Sequence, residues 1–186
     1  MSAAGAPPPA ERVSWLRHLL SFLALPFMVT VVVPILLARD RATAASGPTT
    51  PWERLAVASG VVVLGLGAAL FAACLRRFVT EGAGTLAPWD PPRRLVVRGP
   101  YRYVRNPMIS GVALVLFGEA LVLRSEPQLA WACFFALLNA VYIPLVEEPL
   151  LEDRFGDAWR RYRRNVPRFL PRLRPWDGTE DGSVIG

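Results

Sequence analysis

Residues 99–123 read GPYRYVRNPMISGVALVLFGEALVL, and this stretch decides the fold because a polar loop passes directly into an apolar run. The first ten residues, 99–108, contain two arginines, two tyrosines and two prolines. Polar side chains at the boundary of a hydrophobic segment indicate a functional site, since charge close to hydrocarbon is expensive to keep. The sequence before and after this loop indicates which other residues lie close to it.

The composition is typical of a membrane protein. The chain has 186 residues, of which 53% are hydrophobic, and its mean hydropathy is positive. That is too apolar for a soluble domain of this size. The net charge of +6 would suit nucleic acid in a soluble protein. Here the arginines flank apolar segments, which favours the positive-inside pattern, and we predict no nucleic-acid partner.

Four apolar segments are predicted to cross the membrane. They are Leu16–Ala38, Leu55–Leu75, Met108–Leu123 and Gln128–Val146. A helix of about 20 residues crosses the ~30 Å of hydrocarbon, and the third segment is short for this. The residues between the third and fourth segments, Arg124–Pro127, predict a tight turn and therefore an antiparallel hairpin.

Individual residues inside these segments carry further predictions. Pro26 and Pro34 are expected to kink the first span. A membrane helix tolerates such a kink when neighbouring groups satisfy the freed carbonyls. The second span has a small-residue face that favours close helix packing, made of Gly60, Gly65, Gly67 and Ala68. Asn139 predicts an interhelical hydrogen bond. Glu119 is either a site residue within hydrocarbon or a group near the outer interface.

The segment after the fourth span predicts an amphipathic helix on the cytoplasmic surface. Its apolar residues recur near helical spacing: Leu150, Leu151, Phe155, Ala158, Trp159 and Tyr162. Pro167 and Pro171 are expected to end it. The predicted fold class is therefore an all-α integral membrane protein with about four transmembrane helices and a C-terminal amphipathic cytoplasmic helix.

Arginine counts predict the orientation. The loop 76–105 holds seven arginines and the tail 154–174 holds eight, whereas the turn between the third and fourth spans has only Arg124. The positive-inside rule then places both termini in the cytoplasm, and we expect the inner membrane of a bacterium.

The domain organisation is predicted to be simple. One membrane domain, 14–176, lies between disordered tails at 1–13 and 177–186. Both cysteines fall in apolar runs, which excludes a disulfide framework. His18 is the only histidine, so no multi-histidine metal site is available and we predict no metal.

The hairpin is expected to bring two distant polar groups to the same cytoplasmic rim. The loop precedes the third span, and Glu147 and Glu148 follow the fourth. A carboxylate pair at the C-terminal end of a helix opposes the helix dipole. Such a pair is either solvated or explained by a bound cation or by arginine partners.

These residues together carry a resemblance. RNPMISG at 105–111, a glutamate pair after a helical hairpin, and FGDAWRRYRRNVPRFLPR at 155–172 resemble the isoprenylcysteine carboxyl methyltransferase and phospholipid methyltransferase family. The resemblance covers about residues 93–172. Asn106 stands where the family has histidine, and Ile109 where it has tyrosine. Asparagine can form hydrogen bonds, but it cannot act as a base near pH 7.

The resemblance implies a membrane-embedded site for S-adenosylmethionine in residues 93–172, the cofactor half of the domain. Carried over by position, the cofactor contacts are Arg94, Leu95, Val96, Tyr101, Asn106, Pro107, Met108, Ile109 and Glu147. It also implies a lipophilic acceptor, either a small molecule or a lipid, which enters from the bilayer and meets the cofactor at the rim.

Two acceptor chemistries remain open, and carboxyl O-methylation is slightly favoured over amine N-methylation. Arg105 or Arg154 is expected to orient a carboxylate by bidentate pairing. Glu148 is expected to take the proton of an amine. Membrane lipids are the other expected partners, and the oligomeric state is left open.

Two other functions are kept as alternatives. One is an NADPH-dependent membrane reductase of the sterol-reductase type, although such enzymes are usually longer than this chain. The other is a non-enzymatic small membrane subunit whose arginines bind anionic lipid.

Overall fold

A computed structural model of the chain describes residues 23–38, 47–81, 95 and 97–178. Within these residues all regular structure is helical, and no β-strand is present. The all-α fold class is therefore confirmed. The predicted N-terminal tail, 1–13, and the start of the first span, 16–22, lie outside the described residues.

Helices follow the predicted apolar segments. A π-helical stretch, Leu23–Val32, leads into α1, Val33–Ala38. The longer helices are α2 at Pro51–Glu81, α3 at Pro107–Leu123, α4 at Glu126–Tyr142 and α5 at Glu148–Asn165. A 3₁₀ turn, Gly99–Arg102, precedes α3, and a π-helical turn, Ile143–Glu147, joins α4 to α5.

Two of these helical runs are long and apolar enough to cross a membrane. They are Pro51–Arg77 and the continuous run Glu126–Asn165, whose apolar part ends at Val146. Pro26–Ala38 and Pro107–Leu123 are apolar but shorter. The structure thus supports two membrane-crossing helices, and the count of four stays a prediction.

Glycines bring α2 and α3 into close contact. A Cβ added to Gly67 would lie 2.7 Å from the Val115 nitrogen, and one added to Gly118 would lie 2.6 Å from the Leu64 nitrogen. Such distances leave room only for hydrogen, so these glycines let the two backbones approach each other. Gly65, predicted on the same face, has nothing within 4 Å.

The turn between α3 and α4 has the predicted tight geometry. Arg124 adopts a left-handed backbone conformation, with φ of 49°, and ends α3. The Ser125 hydroxyl caps α4 by accepting a hydrogen bond from the Gln128 nitrogen at 3.1 Å. Arg124 also lies 3.5 Å from the Glu53 carboxylate. Because Glu53 begins α2, the opposite end of α2 lies beside the 3₁₀ turn and the start of α3.

The first helical stretch is held by side chains of α4. The Trp131 indole donates to the Val29 carbonyl at 3.1 Å, and the Gln128 amide donates to the Pro34 carbonyl at 2.7 Å. These carbonyls lie around Pro34, which has no N–H to donate. Val29 lies five residues before Pro34, the π-helical position whose carbonyl the proline leaves free, and Trp131 satisfies that carbonyl. The kinks at Pro26 and Pro34 stay predictions.

Helix α5 is not the single amphipathic helix that its apolar spacing predicted. Gly156 has φ of 50° and ψ of −124°, a conformation that other residues rarely adopt. The chain folds back at this point, since Arg163 comes within 3.8 Å of Glu148. In a straight helix their Cα atoms would be about 22 Å apart, at ~1.5 Å per residue. The helix ends at Asn165, just before the predicted stop at Pro167.

Asn139 and Glu119 are the two polar residues inside the apolar helices for which predictions were made. The Asn139 amide donates to the Phe135 carbonyl of its own helix at 2.9 Å, so the interhelical bond predicted for it is not found among the described residues. Glu119 lies about 18 Å along α3 from Pro107, at ~1.5 Å per residue. It therefore belongs to the opposite end of the helix from the loop.

Candidate active site

A buried carboxylate surrounded by guanidinium groups forms the centre of the polar end. Glu148 is only 2% exposed. Arg168 binds it in bidentate geometry, with Nε 2.7 Å from Oε1 and Nη2 2.9 Å from Oε2. Nη1 of Arg105 lies 3.1 Å from Oε1, and Arg163 lies 3.8 Å from Oε2. We call Glu148 and these three arginines the arginine cluster.

The arginine cluster carries an excess of positive charge, because Arg105 and Arg168 share the single carboxylate of Glu148, whereas Arg163 also pairs with Glu152 at 3.3 Å. Burial lowers the pKa of Arg105, and the negative charge of Glu148 opposes that effect. The hydrogen bond to Glu148 raises the pKa of Arg168. The Nε of Arg105 is buried without a hydrogen-bond partner among the described residues. The cluster can therefore accept a further anionic or carbonyl oxygen.

The chain beyond α5 folds back along the loop that precedes α3. Backbone nitrogens of Arg105 and Asn106 donate to the carbonyls of Pro167 and Arg168, at 2.9 and 3.3 Å. The Arg172 nitrogen donates to the Tyr103 carbonyl at 2.9 Å. We call residues 166–178 the tail strap. It fixes the loop against α5, so the predicted meeting of the loop with the glutamate pair is confirmed.

An aromatic core supports the arginine cluster from the side of α5. Trp159, Tyr162, Val166 and Trp176 are all buried and in contact. The Tyr162 hydroxyl donates to the Tyr101 carbonyl at 2.7 Å. The Arg105 guanidinium lies 5.8 Å from the centre of the Trp159 ring, within cation–π distance. These contacts hold Arg105 in one place.

The two adjacent glutamates have different environments. Glu148 belongs to the arginine cluster, whereas Glu147 is partly buried and has no ion pair with any described residue. Burial raises the pKa of Tyr101, and the nearby charge of Glu147 adds to this effect. Both glutamates lie within the continuous run Glu126–Asn165, so the helix-dipole argument made for them was wrong. Arginine partners account for Glu148.

A largely apolar cavity of about 770 Å³ lies beside the loop and between α3 and α4. The loop contributes Tyr103 and Val104, helix α4 contributes Ala136 and Asn139, and the tail strap contributes Phe169. Its volume falls within the range of small-molecule sites. The loop therefore has the cavity on one side and the arginine cluster on the other.

The other predicted site residues lie partly at the cavity and partly near the arginine cluster. Ile109 lines the cavity, and Leu95 packs on the aromatic core. The Asn106 side chain donates to the Arg168 carbonyl at a long 3.5 Å. Pro107 is buried at the start of α3, and Met108 follows it partly buried.

Arg154 lies away from the arginine cluster on an exposed surface, with its guanidinium 5.7 Å from the Phe155 ring centre. Arg94 and Val96 lie outside the described residues. Among those that are described, no three metal-ligating side chains lie together.

Sequence reasoning missed Arg163, Arg168 and Trp176 as members of this region. Arg168 had a signal, because it ends the Val166–Arg168 triplet that formed part of the family pattern. Arg163 reaches Glu148 only through the fold-back at Gly156, which apolar spacing does not reveal. No motif in the sequence around Trp176 indicated that it belongs to this region.

These features define a class of protein. It is an all-helical membrane protein with a polar site at one end, beside an apolar cavity. The sequence model described as "Phospholipid methyltransferase" matches residues 55–158. That is more than half of the chain, so the chain belongs to the phospholipid methyltransferase family. Membership of this family disfavours the reductase and lipid-binding subunit alternatives.

A curated relative is also known. A methanethiol S-methyltransferase from Pseudomonas deceptionensis is 32% identical over 85 residues, which is 44% of this chain and 30% of that protein. The matched region thus covers less than a third of the relative's length. No solved structure matches the chain.

Proposed function

We propose that the protein transfers a methyl group from S-adenosylmethionine to a lipophilic acceptor at the polar edge of the membrane. One observation supports this most directly. Two consecutive residues of the loop belong to the apolar cavity and to the arginine cluster, because Val104 lines the cavity and Arg105 is a member of the cluster. A polar cofactor and an apolar acceptor can therefore meet at the same short segment.

The residues present fit this cofactor, which carries a carboxylate, an ammonium group and an adenine ring. The unpartnered Nε of Arg105 fits the carboxylate. Glu147, partly buried and close to Tyr101, fits the ammonium group. Asn106 has an amide for a polar edge, and Ile109 lies where the loop enters α3. We assign cofactor contacts to Leu95, Pro107 and Met108 as well, together with Arg94 and Val96.

When bound, the cofactor supplies an electrophilic methyl carbon on a sulfonium. The protein's own contribution is alignment and exclusion of water, which together can lower a barrier by about 7–11 kcal/mol in good cases. The tail strap and Pro107 fix the loop in one shape. The apolar cavity wall keeps water from an acceptor.

The geometry favours a positioning role for Glu148 over the role of a base. A base needs a free lone pair near the acceptor, and both oxygens of Glu148 are bound by arginines. Glu148 holds Arg105 and Arg168 in place instead. Arg154, on its exposed surface, has no contact that supports a catalytic role.

The acceptor is lipophilic in this proposal, and three chemistries come into question. The resemblance implied a prenyl-type carboxylate or a lipid amine. The relative from Pseudomonas deceptionensis acts on methanethiol, as its name states, which adds a thiol. Membrane lipids are the expected surroundings, with both termini in the cytoplasm at a bacterial inner membrane. No nucleic-acid partner is expected.

Calorimetry of S-adenosylmethionine with the detergent-purified full chain tests this proposal. We expect saturable binding that Glu147→Gln abolishes, because that change keeps the shape of the side chain and removes its charge. Asp153→Asn on the same helix, which removes the charge of an exposed carboxylate, is the control and should bind normally. Unchanged binding in Glu147→Gln would place the ammonium group elsewhere, and a folded protein without binding would refute the proposal.

A further inference from the structure

The tail strap exposes two large apolar side chains. Leu170 is 80% exposed, and Leu173 is completely exposed. A single exposed leucine is common on protein surfaces. These two lie only three residues apart on one short segment without regular secondary structure. The strap therefore presents apolar surface that a partner can cover.

Backbone hydrogen bonds fix the strap on both sides of Leu173. The Arg172 nitrogen donates to the Tyr103 carbonyl at 2.9 Å, and the Trp176 nitrogen donates to the Arg102 carbonyl at 2.9 Å. Trp176 is itself buried. Because the segment is held at these points, its leucines cannot turn inward onto the protein without breaking those bonds.

The charge around the leucines has one sign. Residues 158–176 contain seven arginines and no aspartate or glutamate. Several of these arginines are committed within the protein, as Arg168 is to Glu148. Arg164 and Arg174 are exposed, and neither has an ion pair with a described residue. Exposed leucines between such cations suit a partner that has both apolar and anionic groups.

The strap lies beside the apolar part of the helices. Phe169 and Pro171 line the cavity together with Ala140 of α4. Ala140 precedes Val146, where the apolar part of its helical run ends, by about 9 Å at ~1.5 Å per residue. Irregular backbone is not tolerated against the hydrocarbon of a bilayer. The strap therefore belongs at the level of the lipid headgroups.

A lipid surface fits the strap better than a second copy of the chain does. Two copies paired through their straps would bring arginines against arginines, and like charges across an interface are unfavourable. The boundary of a bilayer offers phosphate groups for the arginines and acyl chains for the leucines at adjacent depths. It also continues the surface that surrounds the apolar helices.

We propose that the tail strap is an interfacial anchor that binds the surface of an anionic membrane. Leu170 and Leu173 enter the boundary between headgroups and acyl chains, and Arg164 and Arg174 bind lipid phosphates. The anchor holds the rim of the cavity at this boundary, so that an apolar molecule reaches the cavity from the bilayer. This inference is independent of the proposed cofactor.

Spin labels measure the depth of the strap. Leu170→Cys and Leu173→Cys are labelled in the full chain with Cys133→Ala, since Cys133 is exposed and Cys74 is buried. Each protein is placed as a single copy in nanodiscs that contain phosphatidylglycerol. Collision with oxygen, which concentrates in the bilayer, is compared with collision with a neutral water-soluble nickel chelate.

Two reference positions calibrate this measurement. A label at Leu137, which is 66% exposed on α4, should collide mainly with oxygen, and one at the exposed Asp153 mainly with nickel. We expect the labels at Leu170 and Leu173 to shift from the Asp153 value toward the Leu137 value. Values equal to that of Asp153 would overturn the anchor.

A second experiment tests the arginines. Replacing phosphatidylglycerol by phosphatidylcholine should lower the oxygen preference of the label at Leu173. Arg174→Gln should reduce this dependence on anionic lipid, whereas Arg154→Gln, which removes an equally exposed charge before the fold-back, should keep it. Independence of lipid charge, or the same loss in both variants, would refute the binding of phosphates by Arg174.

Other occupants of the strap give different results. If a second copy covers the leucines, labels at Leu170 show spin–spin broadening in detergent and stay accessible to nickel in single-copy nanodiscs. If a soluble acidic protein covers them, the labels are accessible to nickel in the purified sample and become protected only when that protein is added. Either result refutes the anchor, and neither affects the test of cofactor binding.

Discussion

The α2–α3 interface and the arginine cluster stabilise two regions of the same protein by opposite means. At the interface, glycines remove side chains so that two backbones touch, with Gly67 and Gly118 at the closest points. In the cluster, long side chains from distant parts of the chain converge on Glu148. The close contacts at these glycines are with backbone and aliphatic atoms, apart from the Arg124–Glu53 ion pair at one end of the interface, whereas the cluster consists of charged groups.

This difference predicts which kind of substitution destabilises each region. Close packing tolerates a change of charge nearby but not an added methyl group. A buried ion cluster tolerates changes of volume at its rim, but it cannot lose its only carboxylate. Four substitutions test this contrast, and the effects are expected to decrease in the order given.

Glu148→Gln should have the largest effect. It leaves Arg105 buried beside Arg163 and Arg168 with no negative partner. Breaking a buried ion pair by removing one partner costs about 3–5 kcal/mol. Thermal unfolding in detergent measures the loss, and Asp153→Asn, at an exposed position of α5, is the control. Equal losses in the two variants would mean that the burial of Glu148 confers no special stability.

Gly118→Ala should come second, with a loss of about 1–3 kcal/mol from overpacking. The new Cβ would meet the Leu64 backbone at 2.6 Å, and backbone atoms cannot move aside independently. Gly65→Ala adds the same methyl group to the other helix where nothing lies within 4 Å. If both variants melt alike, the close approach of α2 and α3 does not stabilise the protein.

Gly156→Ala should lose stability toward the lower end of about 1–3 kcal/mol, the usual range for a strained backbone conformation. The added Cβ meets no atom within 4 Å, so only the positive φ opposes it. Limited proteolysis of the segment after residue 156, together with the melting temperature, would detect the loosened fold-back. Asp153→Ala also places alanine in α5, at an exposed position with ordinary helical backbone, and serves as the comparison.

Arg163→Gln should have the smallest effect, below about 1 kcal/mol, because exposed ion pairs contribute little. Its side chain is 49% exposed, and it lies 3.8 Å from Glu148 and 3.3 Å from Glu152. Arg168→Gln removes the bidentate partner at 2.7 Å and should cost more. A reversed order, measured by thermal unfolding, would show that distance and burial do not rank the arginines.

The helical body could be predicted from the sequence because long apolar runs have few other solutions in a membrane. The turn at Arg124 and Ser125 followed from its residue types in the same way. The small-residue face of α2 was only partly right, since Gly67 contacts α3 and Gly65 does not. Composition indicates that helices can approach each other, but not along which edge.

The polar end was less predictable, for two physical reasons. The apolar spacing continues through Gly156, so periodicity gives no sign that the chain reverses there. The tail strap is held largely by backbone hydrogen bonds, such as that from Arg172 to Tyr103, and these leave no side-chain pattern. The arginine partners of Glu148 were foreseen as one explanation, whereas the particular residues depended on the reversal.

The tail strap also sets an order for biosynthesis. Helices α2 to α4 precede it in the chain and can enter the membrane as soon as they are made, whereas residues 166–178 are translated later. The loop before α3 cannot have its final shape until those residues pair with it. The nascent protein therefore passes through a stage at which α2 to α4 have been made but the polar end is still unassembled.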